Sequence, residues 1–143
     1  FEQNAERLSH AAAKGAFKNL AAEEQKHIDF IQGQIAQVKK GAAADIALGE
    51  ALQKEGFFSE RAVSESLDSA TLESMVPDLP VLRMAYLIEH DFAEFYENAA
   101  AKAEGEAKKV LTMLANWERG HEELFKKYHD TAFQEYAGMP WGG

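Results

Sequence analysis

The 143-residue chain contains no cysteine, which excludes disulfides, thiolate metal sites and iron–sulfur clusters within it. It has no apolar run approaching the length of a membrane span and no visible signal peptide, so a cytoplasmic protein without a membrane partner is expected. Basic charge is in short supply: 15 Lys and Arg stand against 24 Asp and Glu, giving a net charge of -9 and a pI near 5.0. That balance argues against nucleic acid or an anionic membrane as a partner. Acidic surfaces suit cations, although in most soluble proteins they serve only solubility. No segment carries a strand signal of any weight. Proline is limited to Pro77, Pro80 and Pro140, none of them in a helix interior. A chain of this length makes one domain, large enough for a core without covalent staples.

The most informative stretch is Leu111 to Phe125, LTMLANWERGHEELF. Val110, Leu114, Trp117, Leu124 and Tyr128 recur at steps near three and four, the inward stripe of one helix. His121 falls on that stripe, with Glu118 one turn before it. A carboxylate and an imidazole facing a helical core are costly unless something compensates them, and a metal ion does so. The arrangement also occurs earlier. Adding 94 to each early number lays FEQNAERLSHAAAKGAFKNLAAEEQKH on FYENAAAKAEGEAKKVLTMLANWERGH without a gap. Phe1 matches Phe95, Asn4 matches Asn98, Leu20 matches Leu114, and Glu24 and His27 match Glu118 and His121. Each half reads as a helical hairpin whose second helix carries Glu-x-x-His.

In chain order, Phe1 to Leu8 is expected to be the tail of a first helix, its upstream part lying before Phe1, with a turn near Ser9 to Ala13. A second helix runs to about Lys40, with Phe17, Leu20, Glu24, His27, Ile31, Ile35 and Val38 on one face and Gly41 as its stop. Residues 42–77 form a crossover, read as helical because a structureless link of that length is improbable in a compact domain. ADIALGEALQKEG and SERAVSESL are its short helices, with a further turn over Ser69 to Met75. Asp78 is placed as the N-cap of a third helix, with Pro80 just inside it. That helix spans about Leu79 to Lys102, with Leu82, Tyr86, Glu89, Tyr96 and Ala99 along one face and Phe92 and Ala93 at its edges. After a turn at Gly105, a fourth helix reaches about Phe133, and YAGMPWGG is read as non-helical. Residues 1–137 thus make a single domain and 138–143 a C-terminal tail. Two hairpins joined by one long crossover give an all-α, ferritin-like four-helix bundle.

Carboxylate-bridged di-iron or di-manganese sites in such bundles take one inward Glu from each of two helices and Glu-x-x-His from each of the other two. Oxygen ligands suit these metals, carboxylates bridge two ions, and one imidazole completes each side. The pairs here are Glu24/His27 and Glu118/His121, and the third-helix carboxylate is Glu89. Composition alone yields roughly half an E-x-x-H match by chance, so one match means little. Two at equivalent positions of a repeat, both on apolar stripes, mean considerably more.

IEHDFAEFYENAAAKAEGEAKKVLTMLANWERGHEELF resembles the rubrerythrin-type branch of the ferritin-like superfamily, and FEQNAERLSHAAAKGAFKNLAAEEQKHIDF resembles its partner half. The likeness covers both ends of the chain well and the crossover poorly. It places the inward Glu of a hairpin's first helix seven residues before the aromatic that matches Tyr96, where Glu89 stands. It implies two iron ions, with manganese or zinc as possible substitutes. The implied chemistry is that of an oxidoreductase, reacting with peroxide or oxygen or oxidising ferrous iron, and a homodimer is implied as well. Three departures stand out. The first-helix glutamate aligns upstream of Phe1. A further third-helix glutamate of typical relatives is replaced, one turn after Glu89, by Phe92. The four-cysteine rubredoxin module is missing, so a peroxidase would draw electrons from a separate donor protein.

Plainer readings stand beside these. Trp117, Tyr86 and Tyr96 are core aromatics before they are redox relays. His10, His90 and His129 lack a Glu-x-x-His partner and read as surface or satisfied histidines. AAEEQK and KAEGEAKK read as solvated helix faces. Two functions follow: a redox-active di-iron protein, or a non-catalytic bundle that sequesters iron or serves as an interaction module. In the first, Glu24 and Glu118 bridge the metals, His27 and His121 are terminal ligands, and Glu89 closes one end.

Overall fold

The computed structural model describes residues 1–9, 11–55 and 74–140, and every regular element among them is helical. Helix α1 (Glu2–Ala5) is followed by α2 (Ala11–Lys39) and α3 (Ile46–Glu55); a 3-10 turn (Val76–Asp78) then leads into α4 (Leu79–Lys102) and α5 (Gly105–Gly138). This is the all-helical, ferritin-like arrangement expected: a hairpin of α1 and α2, a hairpin of α4 and α5, and α3 in the connection between them. SERAVSESL, most of the Ser69–Met75 turn and His10 lie outside the described residues. No helix among the described residues is long and apolar enough to cross a membrane.

Local chemistry sets the ends. Helix α2 stops at Gly41, whose φ of +72° opens the left-handed conformation that a side chain disfavours. The Gly41 N–H then donates to Val38 O at 3.0 Å and the Ala42 N–H to Gln37 O at 3.0 Å, satisfying carbonyls the helix would leave orphaned. Helix α3 begins with the Asp45 carboxylate accepting from the Leu48 N–H at 3.0 Å. Buried Gln34 of α2 holds that start in place, its Oε1 accepting from the Asp45 N–H at 2.8 Å. Gly49 lets α3 lie directly on α5, because a Cβ there would sit 2.1 Å from the Met113 side-chain terminus.

Several expectations about this architecture need correcting. Helix α1 ends at Ala5, and Glu6 and Arg7 already turn the chain. Asp78 occupies the N-cap position of α4 without capping it. Its buried carboxylate instead accepts the Ser9 N–H at 2.7 Å, tying the α1–α2 turn to the head of α4. Helix α5 continues past Phe133 through Tyr136 and Ala137 to Gly138, a glycine being tolerated in a last turn where few hydrogen bonds depend on it. On α2 the inward face after His27 follows Phe30 and Gln34, leaving Ile35 and Val38 49% and 66% exposed. On α4 it follows Leu82, Ala85, Glu89, Ala93 and Ala100, with Tyr86, Tyr96 and Ala99 at its margin and Phe92 turned outward.

The apolar interior forms two layers. One gathers Ala5, Leu8, Phe17, Leu20, Leu82, Ala85, Leu124, Phe125 and Tyr128, with Phe1 packed on it. Its centre is aromatic: the Phe17 and Phe125 rings meet edge-on at 5.0 Å, and Phe1 meets Phe17 edge-on at 5.9 Å. The other holds Phe30, Met113, Leu114 and Trp117, with Ile31, Leu52, Tyr96 and Val110 around it. Between them α2, α4 and α5 each switch to polar residues at one level: Glu23, Glu24 and His27; Glu89; Glu118 and His121. Phe17→Ala is expected to destabilise the protein by about 3–5 kcal/mol in denaturant unfolding. Val38→Ala, on the same helix but at an exposed position, should stay within about 0.5 kcal/mol.

Candidate metal centre

All five residues expected at the site meet at that polar level. Within each Glu-x-x-His pair the carboxylate lies one helical turn from the imidazole: Glu24 Oε1 is 3.5 Å from His27 Nδ1, and Glu118 Oε2 is 3.4 Å from His121 Nδ1. The pairs also interlock across the bundle. His121 Nδ1 lies 3.1 Å from Glu24 Oε1 and 3.7 Å from Glu89 Oε2, and His27 Nδ1 lies 3.9 Å from Glu118 Oε1. One ligand atom from each of Glu24, His27, Glu118 and His121 falls within 4.8 Å of all the others. The imidazole rings lie nearly parallel, 5.4 Å apart, both offering Nδ1 to the carboxylates.

Whether these side chains suit a cation is tested by their unmet needs. Both Glu89 oxygens are buried with no hydrogen-bond partner, as are Glu24 Oε1, Glu118 Oε2 and His27 Nδ1. Glu89 is 0% exposed. Buried acceptors without donors cost free energy, and a carboxylate without a counter-charge costs more. Oxygen and imidazole atoms converging on one space satisfy that demand when they share a divalent ion, and the donor set suits iron, manganese or zinc. The residues present fit such a group.

The electrostatics of the metal-free cluster follow from the same crowding. Burial pushes the Glu89 carboxyl up to about 7; His121 opposes this, and the charges of Glu24 and Glu118 add to it. Burial would raise Glu24 too, but the His121 and His27 imidazoles beside it outweigh that and hold the carboxyl at about 2. For His121, burial favours the neutral ring, yet Glu118, Glu23, Glu24 and Glu89 together hold its proton well above the ordinary histidine range.

Neighbouring groups sort as follows. Trp117 stacks on the His27 ring at 4.4 Å and meets Phe30 edge-on at 5.5 Å, making one wall of the site. Tyr96 is half-buried, its phenol pushed up by burial and by the carboxylates of Glu118 and Glu24. Phe92 is 48% exposed, and Ala93 takes the inward position beyond Glu89, so α4 supplies no second carboxylate there. His90 belongs to a surface network with Glu94, Glu122 and Arg119, which also binds Glu97. His129 pairs with Asp130 and stacks on Phe133. The solvated reading of AAEEQK fails at Glu23, which is 8% exposed and places Oε2 3.3 Å from His121 Nε2. The signal for it was its spacing, four residues before His27 and three after Leu20, which puts it on the inner face beside Glu24.

A helical bundle that turns two Glu-x-x-His pairs and a lone glutamate inward at one level is a ferritin-like bundle with a carboxylate–histidine cluster suited to metal. Residues 1–129 match the rubrerythrin family model, and the chain belongs to the rubrerythrin family. Comparison with curated proteins and with solved structures found no match.

The pH dependence of the metal-free protein follows from these shifts. Glu89, raised in the fold, contributes stability that is complete below its ordinary value of 4.5 and is lost as pH rises through about 7. His121, also raised, contributes stability complete below 6.5 and lost at still higher pH. Glu24, depressed, contributes above 4.5 and loses that only as pH falls toward about 2, so it is constant on the alkaline side. The thermal midpoint of metal-free protein should therefore fall as pH rises through about 7 and go on falling above it. Saturating zinc should abolish that fall, because the ion replaces the protons.

Proposed function

We propose that the protein is a non-haem di-iron protein of rubrerythrin type, redox-active toward peroxide or in oxidising ferrous iron. The observation that carries this reading is the buried cluster of Glu24, His27, Glu89, Glu118 and His121, in which both Glu89 oxygens, Glu24 Oε1, Glu118 Oε2 and His27 Nδ1 have no hydrogen-bond partner. Glu24 and Glu118, each within reach of both imidazoles, would be the carboxylates shared between two ions. His27 and His121 would be terminal ligands, and Glu89 would close the α4 side. Bound iron would supply electrons and an open Lewis-acidic position for peroxide or oxygen.

The protein's own residues decide what reaches that position. Glu24 is the most exposed of the cluster, and it borders a surface groove of about 360 Å³ shared with Phe1, Glu2, Gln3, Asn4, Ala21, Gln25 and Ile28. Its acidic members would favour an approaching cation, and the burial of the remaining cluster residues suits small reactants such as peroxide, oxygen or ferrous ion. On the other walls, Phe17, Leu20, Leu124 and Phe125 on one side and Phe30 and Trp117 on the other exclude bulk water, which strengthens every charge interaction inside. These residues hold no cysteine, so the reducing equivalents for peroxide turnover would enter from outside them; a donor protein and a homodimer are the proposed partners.

Metal analysis of protein from iron-replete cells tests the reading directly. About two metals per chain are expected. His27→Ala and His121→Ala variants that remain helical by circular dichroism should each lose metal. The loaded protein should consume peroxide in proportion to its iron. Full iron loading without peroxide consumption or ferrous oxidation would favour sequestration, and a folded wild type that takes up no metal would remove the proposal.

A further inference from the structure

The internal repeat makes a comparison within the molecule possible. The offset that superposes Glu24 on Glu118 and His27 on His121 also superposes Leu20 on Leu114 and Phe30 on Leu124. Leu20 and Leu124 sit in one apolar layer, and Phe30 and Leu114 in the other. The halves therefore exchange layers, as an approximate two-fold axis through the polar level requires. Under the same offset Glu23 corresponds to Trp117. The two residues make equivalent contacts of opposite chemistry, each against the imidazole of the other half. Glu23 Oε2 is 3.3 Å from His121 Nε2, whereas the Trp117 indole lies over the His27 ring at 4.4 Å.

We infer that the two cation positions of this centre are unequal by construction: the position served by His121, whose far nitrogen Glu23 holds, takes a divalent cation more tightly than the position served by His27. This rests on the metal-binding reading above and specifies how the two positions of that site differ. A carboxylate accepting the Nε2 proton of an imidazole fixes the tautomer that leaves Nδ1 free to bind a cation, holds the ring's orientation and raises its basicity. His121 has this partner. Among the described residues no carboxylate hydrogen-bonds His27 Nε2. The indole orients that ring by stacking but accepts no proton, and Trp117 Nε1 is itself buried without a hydrogen-bond partner. Glu23 also adds a negative charge on the His121 side only. It is a positioning residue, acting through His121.

The test is titration of the full, metal-free chain with cobalt(II), followed by calorimetry and by the visible absorption of bound cobalt. Wild type should bind in two classes separated by at least about tenfold. Glu23→Gln keeps the shape of the side chain and should weaken the tight class by about 10–100-fold while leaving the weak class in place. Trp117→Phe, which preserves the stacked ring, should leave the separation intact. His121→Ala should abolish the tight class and His27→Ala the weak one, an assignment that does not depend on how the Glu23 variant folds. Two equal classes in wild type, or equal weakening of both by Glu23→Gln, would overturn the inference while leaving a two-metal centre standing. No cobalt uptake by folded wild type would remove both.

Discussion

The structure turns on carboxylates held at one level inside a helical bundle. Glu89 has no exposure at all, and Glu118 and Glu23 have little. In a metal-free interior their mutual repulsion and desolvation are opposed by two imidazoles, and the opposition is uneven: Glu24 is held ionised, whereas Glu89 is pushed toward keeping its proton. Such a layer contributes little to folding compared with apolar packing of the same volume. Its stability must come from the layers on either side, where the Phe17–Phe125 contact and the Phe30–Trp117 contact brace the helices that carry the charges. A shared cation would shift this balance, because it would supply positive charge to several oxygens at once.

The repeat explains why the layer is well placed. A hairpin that carries Glu-x-x-His on its second helix, duplicated and related by an approximate two-fold axis, brings the two motifs face to face without any loop having to position them. Each residue of the motif sits on a long helix whose register is set by core residues on both sides: Leu20 and Phe30 on α2, Leu114 and Leu124 on α5. Helix α4 joins the same register through Leu82 and Ala85 below Glu89 and Ala93 above it. Sites built on rigid elements in this way hold side chains closely enough for coordination.

How much of this could be read in the sequence depended on whether a residue's neighbours shared its character. Glu24, His27, Glu118 and His121 were legible because each interrupts an apolar stripe, and because the two pairs recur at a fixed offset. Helix α4 was legible to its end residues, since Pro80 and Lys102 bracket a clean periodic segment. Glu23 was not, because EEQK has the composition of a solvated face, and one residue along a helix turns a side chain by about 100°. Ile35 and Val38 misled for the opposite reason: they continue an apolar pattern, but Gln34 takes the inward place by bonding the backbone of Asp45 at the start of α3. A polar residue with a backbone partner displaced an apolar stripe, and periodicity alone carries no record of that partner. The end of α5 was missed because glycine and proline signals mark where a helix must stop, not how far it runs before them.

The repeat also limits what symmetry can accomplish. Duplication supplies two matched ligand pairs, but Glu23 and Trp117, at equivalent positions, have diverged to a hydrogen-bonding carboxylate and a stacking indole. The divergence falls next to the imidazole nitrogens of the cluster, where a single charge alters an imidazole's basicity, and not on the outer faces, where it would matter little. Helix α4 departs as well: with Ala93 inward and Phe92 outward beyond Glu89, it brings no second carboxylate to match Glu23. A bundle whose halves repeat can thus hold chemically distinct sides, because the helices fix where the carboxylates and imidazoles stand while the residues beside them set how strongly each would hold a cation.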